Sequence, residues 1–573
     1  MIGASGTSAV GVILDLTRLH NSYVAGRVDL VASNAWVSAY ARLTMGSALS
    51  NSYCIGFPGN RWYGGCSYID MIEREVVSLA TRLFGTGHAV VQFLSGMQAN
   101  IGAFNALLRP GDKVVSAPPR HGGHYSHGPN GPLRFFSAKV LDVPFDPSAY
   151  NVDLDGLRDL FERERPRMII VGWSEFLFPH PLRAIRELCD RYDVRLMYDM
   201  SHVAGLIAGG SFQPEAGRLA DVLTSSTGKS LHAPDHGMLL YNDVSLEPAI
   251  KDAIMPLLTS NTHPQEVAAV GIALAEMDMF GADYARQVVA NTKALGAALH
   301  ERGVNVMYRE LGYSDSHTLL VQHDHTQTAV SLLDAAGITA NTAPLPWDES
   351  GPDRALRLGT QVLTRRGMRE PQMHQVAEAV GRLLVERDDP RHVGDDLVKP
   401  LAEGFRHADY SFDAHFPLPG DWQNAPYESR RGKAVTDMAA LVPAFSSLSI
   451  AELHHLADKL RVVELAESAR LFSEGDPADG VYFIVEGAIA ISDEHTHRVA
   501  NLGPGDHLGE AALLSDRRRT MNAYAASRAT LLRVDAADFR DLLTTSPSVR
   551  RHFDAYVSSL RLADRARAET DAA

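Results

Sequence analysis

Residues 67–85, SYIDMIEREVVSLATRLFG, set Ile69, Ile72, Val76, Leu79 and Leu83 on one face at helical spacing, and Gly85 follows as a C-cap. Short apolar runs then recur at 88–94 (HAVVQFL), 112–117 (DKVVSA), 167–173 (RMIIVGW) and 194–199 (VRLMYD), each bounded by Gly, Pro or charged residues. Helical patterns such as LRAIRELCDRYD at 182–193 lie between them. Strands alternating with helices predict a parallel sheet covered on both faces. Over 285–385 the order becomes helix, strand, helix, strand, helix, a smaller second α/β domain. Residues 390–440 are rich in Pro, Asp, Arg and aromatics without a clear period. They predict a linker whose Phe412, Phe416, Trp422 and Tyr427 pack on something. From about 440 the pattern changes to short strands with Gly and Asp turns, as in EGDPADGVYFIVEGAIAIS, a small β-roll flanked by helices at 449–460 and beyond 535. The expected divisions are 1–290, 291–390, a linker at 391–438, and 439–573.

Composition narrows the function classes. The 573 residues suit several domains, and 45% hydrophobic with 21% charged residues is ordinary for a globular protein. No run reaches the roughly 18 apolar residues of a membrane helix, and the N-terminal apolar stretch has no basic region ahead of it. Three cysteines, Cys54, Cys66 and Cys189, give no disulfide framework and fit a reducing, cytosolic setting. Neither CxxC nor HExxH spacing occurs, so no metal is expected. A net charge of −15 disfavours nucleic acid and means that an anionic ligand has to be held by local groups.

Three segments offer chemistry. In DVLTSSTGKSLHAPDHG (221–237), Lys229 follows an apolar strand and can form a Schiff base with an aldehyde cofactor. The hydroxyls of Ser225, Ser226 and Thr227 suit a phosphate, although a solvated lysine after a strand has the same local pattern. In VRLMYDMSHVAG (194–205), Asp199 ends a strand and His202 lies three residues on. A carboxylate there can keep a pyridine nitrogen protonated, or simply cap the next turn. In FLSGMQANIGA (93–103), Ser95, Gly96 and Met97 open a helix whose free N–H groups suit a phosphate, as a plain strand-to-helix turn also would.

Taken together, NSYCIGFPGNRWYGGCSYID, SGMQAN, GGHYSHG, YDMSHVAGLIAGG, STGKSLHAP and LRLGTQVLTRRG resemble serine hydroxymethyltransferase across roughly residues 25–385. The resemblance implies a fold-type-I pyridoxal phosphate (PLP) enzyme with a mostly parallel large-domain sheet, acting on a small amino acid as a homodimer or higher oligomer with shared active sites. It makes Lys229 the cofactor-bonded lysine, Asp199 the pyridine-nitrogen partner and His202 its companion. His124 becomes the ring-stacking histidine, Ser95 and Gly96 the phosphate loop, and Ser174 of GWSEF a cofactor contact. Arg357 would grip the substrate carboxylate. Ser33 and Tyr53 would complete the site, with Tyr53 reaching the neighbouring subunit.

The departures from that pattern bear on function. The proton-shuttling glutamate after Tyr53 is replaced by Ile55, which cannot transfer a proton. Asn34, Gly228, Asp235, Ala343 and the pair Ser260-Asn261 also stand where the family has other residues, and Ala343 replaces a folate-contacting asparagine. The cofactor and carboxylate groups survive while the folate-linked ones do not. The expectation is a folate-independent aldolase or transaldolase on glycine or a threonine- or serine-like β-hydroxy amino acid, with an aldehyde as a second substrate. Serine hydroxymethyltransferase activity itself, or racemisation, transamination or decarboxylation, stays open, as does a non-catalytic sensor or assembly protein.

At the C-terminus, LFSEGDPADGVYFIVEG (471–487) and GDHLGEAALLSDRRRT (505–520) resemble the cyclic-nucleotide-binding fold of the catabolite-activator type. Gly509, Glu510 and Ala511 open a short helix toward a cyclic phosphate, Arg519 supplies the paired charge, and Glu510 accepts from the ribose hydroxyl. Leu508 and Leu513 pack the cassette, and Thr520 can favour cGMP over the default cAMP. The tail leaves no room for a helix-turn-helix. Nucleotide binding would regulate activity or assembly.

Overall fold

The structure is a computed structural model. It describes residues 4–348, 353–416, 459–492, 498–514, 518–545, 549–551 and 553. The chain forms two compact units, Met1–Gly56 with Val76–Leu418, and Phe57–Glu75 with Pro419–Ala573.

The first unit is built on a seven-stranded sheet. Its strands are β1 (His88–Phe93), β2 (Lys113–Ser116), β3 (Lys139–Asp142), β4 (Met168–Val171), β5 (Arg195–Asp199), β6 (Val222–Ser226) and β7 (Gly237–Tyr241), in the order β1-β7-β6-β5-β4-β2-β3. Only β7 runs antiparallel to its neighbours. Every residue of β4, β6 and β7 is buried, which is why β4 and β7 run apolar without alternation, while β6 buries the hydroxyls of Thr224, Ser225 and Ser226 at its end. Helix α1 (Gly96–Leu107) follows β1, and Ser95 caps it by accepting from the Gln98 N–H at 3.2 Å. The 67–85 pattern forms a helix over Ser67–Phe84, closed by Gly85 at φ 67°.

Helix α2 (Pro264–Glu301) runs 38 residues without a break and buries Leu274, Met277, Tyr284, Val288 and Leu295. The expected division at 290 falls inside it. Its C-terminal half joins a second core that includes Leu299, Leu319, Val321, Leu356, Leu358, Val376 and Val380. There β8 (Thr318–Gln322), β9 (Asn341–Ala343) and β10 (Ala355–Gly359) pair antiparallel in the order β8-β10-β9. Ala343, the last residue of β9, is buried.

The start of the expected linker is structured. Residues 390–404 are helical, and Val393, Val398 and Leu401 pack into the second core. The apolar spacing there is hidden among Asp, Pro and Lys, so composition suggested irregular chain. Phe412 packs edge-on against Tyr40 and Phe280, while Phe416 is 51% exposed. Trp422, Tyr427 and nearly all of the 449–460 pattern lie outside the described residues.

The second unit carries two four-stranded antiparallel sheets. One is β11 (Leu460–Leu465), β18 (Ala529–Asp535), β13 (Gly480–Glu486) and β16 (His507–Leu508); the other is β12 (Arg470–Phe472), β17 (Asn522–Ala525), β14 (Ile489–Ser492) and β15 (Arg498–Leu502). A short helix, α3 (Glu510–Leu514), follows β16, and α4 (Ala536–Thr545) follows β18.

Arg365 and Glu276 form an ion pair with both side chains fully buried. Glu276 also accepts from the Phe412 N–H at 3.3 Å, and Arg365 donates to the Tyr410 carbonyl, so the pair ties the 410–412 segment to α2. Glu276→Leu strands the guanidinium in the core and is expected to cost about 3–5 kcal/mol of unfolding free energy in urea. Adding Arg365→Met should recover most of that loss.

Candidate active site

The strands β4, β5 and β6 end on one edge of the sheet, and the chemistry-bearing residues follow those ends. β5 delivers Asp199. Its Oδ2 accepts from His127 Nε2 and Asn100 Nδ2, each at 3.0 Å, and its Oδ1 accepts from the Ser201 N–H at 3.0 Å and the Ser201 hydroxyl at 2.5 Å. Burial pushes the Asp199 pKa up, but the His127 bond and its electrostatic pull, with Ser201 and Asn100, outweigh it and hold the carboxyl well below its usual range. It is a buried anion at neutral pH.

This anion sits at the sheet edge because glycine allows close approach. Gly172, just after β4, has φ 95°, and a Cβ there would lie 1.9 Å from the Asp199 carbonyl oxygen. Likewise a Cβ on Gly96 would lie 2.8 Å from the Ser226 nitrogen, so the start of α1 is pressed against the end of β6. Met97 is 46% exposed, so it offers this edge its N–H rather than a buried side chain.

Lys229 lies in the turn after β6. Its carbonyl accepts from the His232 N–H at 3.0 Å, and Thr227 bonds His236 and Ala233 across the turn at 3.1 Å each. Burial lowers the Lys229 pKa, Asp199 and Asp235 oppose this, and Arg357 adds to the lowering. Asp235 accepts from the Ser226 hydroxyl at 3.0 Å, so a hydroxyl expected to meet a phosphate is tied to a carboxylate here.

Around these stand three neutral histidines. Burial lowers His124 to about 4, and Nδ1 accepts from the Ser126 N–H at 3.2 Å. Burial also lowers His202 well below its usual value and His317 to about 4. The rings of His202 and His317 stack at 5.7 Å, and His317 Nε2 donates to the Ala32 carbonyl at 3.1 Å, beside half-buried Ser33. His202 Nδ1 is buried and has no hydrogen-bond partner among the described residues.

Arg357, central in β10, donates from Nε to Asn341 Oδ1 and from Nη1 to the Ser174 carbonyl, both at 3.3 Å. Its Nη1 also meets Glu175 Oε1 at 3.0 Å, and both side chains are nearly buried. The Ser174 N–H donates to the Gly122 carbonyl at 2.6 Å. Burial pushes Glu175 up to about 7 against the opposing pull of Arg357, with Asp353 adding to the rise.

Arg357 thus bears electrostatically on Lys229, His124 and His202, and Asp199 on Lys229 and His124. Tyr53 is instead 51% exposed. Asn261 brackets it, accepting from the Cys54 N–H at 2.9 Å and donating to the Ser52 carbonyl at 3.2 Å. Ile55 is buried.

In the second unit, buried Arg519 donates to the carbonyls of Gly509 at 2.8 Å and Gly480 at 2.9 Å, and pairs with Asp479 at 2.5 Å. It lies 4.2 Å from the centre of the Phe472 ring. Its Nε–H has no acceptor among the described residues. Gly509 has φ 96°, and a Cβ there would meet Arg519 Nη1 at 2.4 Å. Glu510 is buried, with Oε2 3.2 Å from His507 Nδ1. Leu508 and Leu513 are buried, Ala511 is half-buried, and Thr520 is exposed.

The model of the family described as serine hydroxymethyltransferase matches residues 12–380. The chain belongs to the serine hydroxymethyltransferase family. Residues 462–546 match the cyclic nucleotide-binding domain. A serine hydroxymethyltransferase of Methanocella arvoryzae is 37% identical over 70% of this chain and 96% of its own length. That of Methanobrevibacter smithii is 36% identical with the same coverage. Among solved structures, an L-threonine transaldolase from Pseudomonas fluorescens superposes with TM-score 0.67 at 28% identity, over 74% of this chain and 99% of that one. This family member is a PLP-dependent enzyme of the serine hydroxymethyltransferase-like class, with a cyclic nucleotide-binding domain. No helix among the described residues is long and apolar enough to cross a membrane.

Reading the sequence singled out neither His127 nor Asn100, the two side chains that hold Asp199 Oδ2, nor His317 or Glu175. His127 stood in view as the second histidine of GGHYSHG, and Glu175 as the one acid in the apolar stretch 168–178, a sign of a buried cation partner. Asn100 and His317 gave no such signal.

Asp199→Ala leaves His127, Asn100 and Ser201 without their acceptor and is expected to cost about 3 kcal/mol in denaturant unfolding at pH 7. The depressed Asp199 pKa fixes the sign in acid. Its contribution is full above the unfolded-state value near 4 and is lost as pH falls through the folded value. The wild-type advantage should therefore persist from pH 7 to about 4 and shrink below it.

Proposed function

We propose that this enzyme is a folate-independent aldolase or transaldolase that works at the α-carbon of glycine or a β-hydroxy-α-amino acid. The observation that carries the reading is Ile55. It is buried beside Tyr53 where the resemblance calls for a proton-transferring glutamate, while the charged group around Lys229 is intact. Ala343, buried at the end of β9, removes the amide expected at folate. The similarity to an L-threonine transaldolase supports the same direction.

The residues present fit PLP. A buried anion, a lysine with a lowered pKa, a strand-to-helix turn with free N–H groups and an orphaned His202 Nδ1 converge at one sheet edge. Lys229 would hold the aldehyde carbon, Asp199 the ring nitrogen, His124 the ring face, and Ser95, Gly96 and Met97 the phosphate. Ser174, His202 and Ser226 would line the cofactor. When bound, the cofactor supplies an electron sink for the bonds at the substrate α-carbon. Arg357 fixes the substrate carboxylate and so decides which α-carbon bond stands perpendicular to the ring, with Ser33 beside it. The Lys229 amine, its pKa lowered by burial, would accept and return a proton there. Tyr53 would complete the site of a neighbouring subunit. Ile55 excludes water without moving a proton.

A second reading, serine hydroxymethyltransferase activity itself, is favoured by the relatives of that name at 37% identity. One experiment separates the two. The full chain, reconstituted with PLP, is mixed with L-threonine and an acceptor aldehyde, or with L-serine and tetrahydrofolate. Folate-free formation of a new β-hydroxy amino acid is expected, and Lys229→Ala should lose both product and the visible cofactor band. Serine cleavage that requires folate would overturn the proposal.

We further propose that the C-terminal domain binds a cyclic nucleotide, cAMP rather than cGMP. The orphaned Nε–H of Arg519, beneath the turn that only glycine permits at 509, supports this. Glu510 would take the ribose hydroxyl, and Ala511 and Thr520 would flank the phosphate. Arg519→Lys keeps the charge but loses the planar fork. In calorimetric titrations of the full chain it should weaken cAMP binding at least about tenfold. Equal rates with and without nucleotide would show that the domain does not regulate catalysis.

A further inference from the structure

The Arg357 guanidinium already has a carboxylate partner from its own chain. Glu175 Oε1 lies 3.0 Å from Nη1, and the two side chains are 7% and 12% exposed. Asn341 Oδ1 engages Nε, and the Ser174 carbonyl shares Nη1. An amino-acid carboxylate arriving at Arg357 therefore meets a second carboxylate in a largely buried site. Two anions on one buried guanidinium favour neutralisation of one of them, because the Coulomb repulsion and the lost hydration add together.

We propose that Glu175 is a proton-coupled gate on the carboxylate site: it pairs with Arg357 until the substrate carboxylate takes its place, and it then takes up a proton from solvent. An O–H bond forms on Glu175, the Glu175–Arg357 pair is exchanged for a substrate–Arg357 pair, and no other bond changes. This deepens the function proposed above and rests on Arg357 being the carboxylate anchor.

The surroundings of Glu175 support the direction of the exchange. Arg357 of β10 is the main group that stabilises its charge, with a smaller share from a backbone hydrogen bond, and Asp353, just before that strand, opposes it. Tyr150 is fully buried, coupled to Glu175, and its hydroxyl has no partner among the described residues. Lys229, His124, His202 and His317 also lie within reach of the Arg357 charge, and the histidines are neutral. Removing Arg357 from Glu175 thus leaves it beside an anion and a phenol, where the protonated form is favoured. The position of Glu175, directly after the cofactor-lining Ser174 in the chain, means that the exchange also bears on how the substrate sits against the ring.

The test compares the PLP-reconstituted full chain with Glu175→Gln. Glycine binding is followed by the change in the visible cofactor band from pH 6 to 8.5, and by calorimetry in buffers of different ionisation heat. At pH 8 the wild type should take up about one proton more per glycine than the variant. Its glycine affinity, relative to the variant, should weaken about tenfold per pH unit above pH 7 and converge with it near pH 6. Ethylamine, which has no carboxylate, should show no such difference. Glu175→Leu should behave as Glu175→Gln does, which guards against a folding defect in either variant. Glycine binding with equal proton uptake in both proteins, or with a pH-independent affinity ratio, overturns the gate alone. A cofactor band that neither glycine nor ethylamine perturbs overturns the proposed function and the gate with it.

Discussion

The first unit is organised around one buried negative charge. Asp199 is kept ionised beneath the sheet edge by four hydrogen bonds from three residues, and each donor belongs to a different part of the chain. Asn100 comes from α1, His127 from the loop after β2, and Ser201 from the turn after β5. Asn100 in turn accepts from the Thr224 hydroxyl at 2.6 Å, which locks α1 to β6. A carboxylate that needs all these donors forces the strand ends and the first helix into a single arrangement, because leaving any one out would strand a buried polar group.

That arrangement sets the protonation of everything near it. The lysine loses part of its basicity to burial, the histidines lose theirs, and the guanidinium of Arg357 is left as a strong cation facing them. The chain answers with Asp235 on the lysine side and Glu175 on the arginine side. Their electrostatic effects are unlike. Asp235 is tied to Ser226 and supports the Lys229 charge, whereas Glu175 is held where burial disfavours its own charge and Arg357 is the chief group that opposes this.

The nucleotide domain applies the same principle with the opposite sign. There the buried charge is a cation, Arg519, satisfied by two carbonyls and Asp479 and roofed by an aromatic ring, with one N–H left over. In both units glycines decide how closely charge and backbone approach, Gly172 and Gly96 in one and Gly509 in the other. The two buried charge centres are thus built from separate local elements, in a chain whose net charge is −15.

Much of this was legible in the sequence. The apolar runs at 88–94, 112–117, 167–173 and 194–199 became strands, and Lys229, Asp199 and Arg357 could be named because their segments are short and continuous. The helical nature of 390–404 was hidden by its polar content. What no local pattern carried was which side chains pair across distance. His127 and Asn100 reach Asp199 from 72 and 99 residues away, and Glu175 meets Arg357 across 182. Local spacing fixes which face a residue takes on its own element. The protonation of a buried group depends on neighbours that only the folded chain assembles.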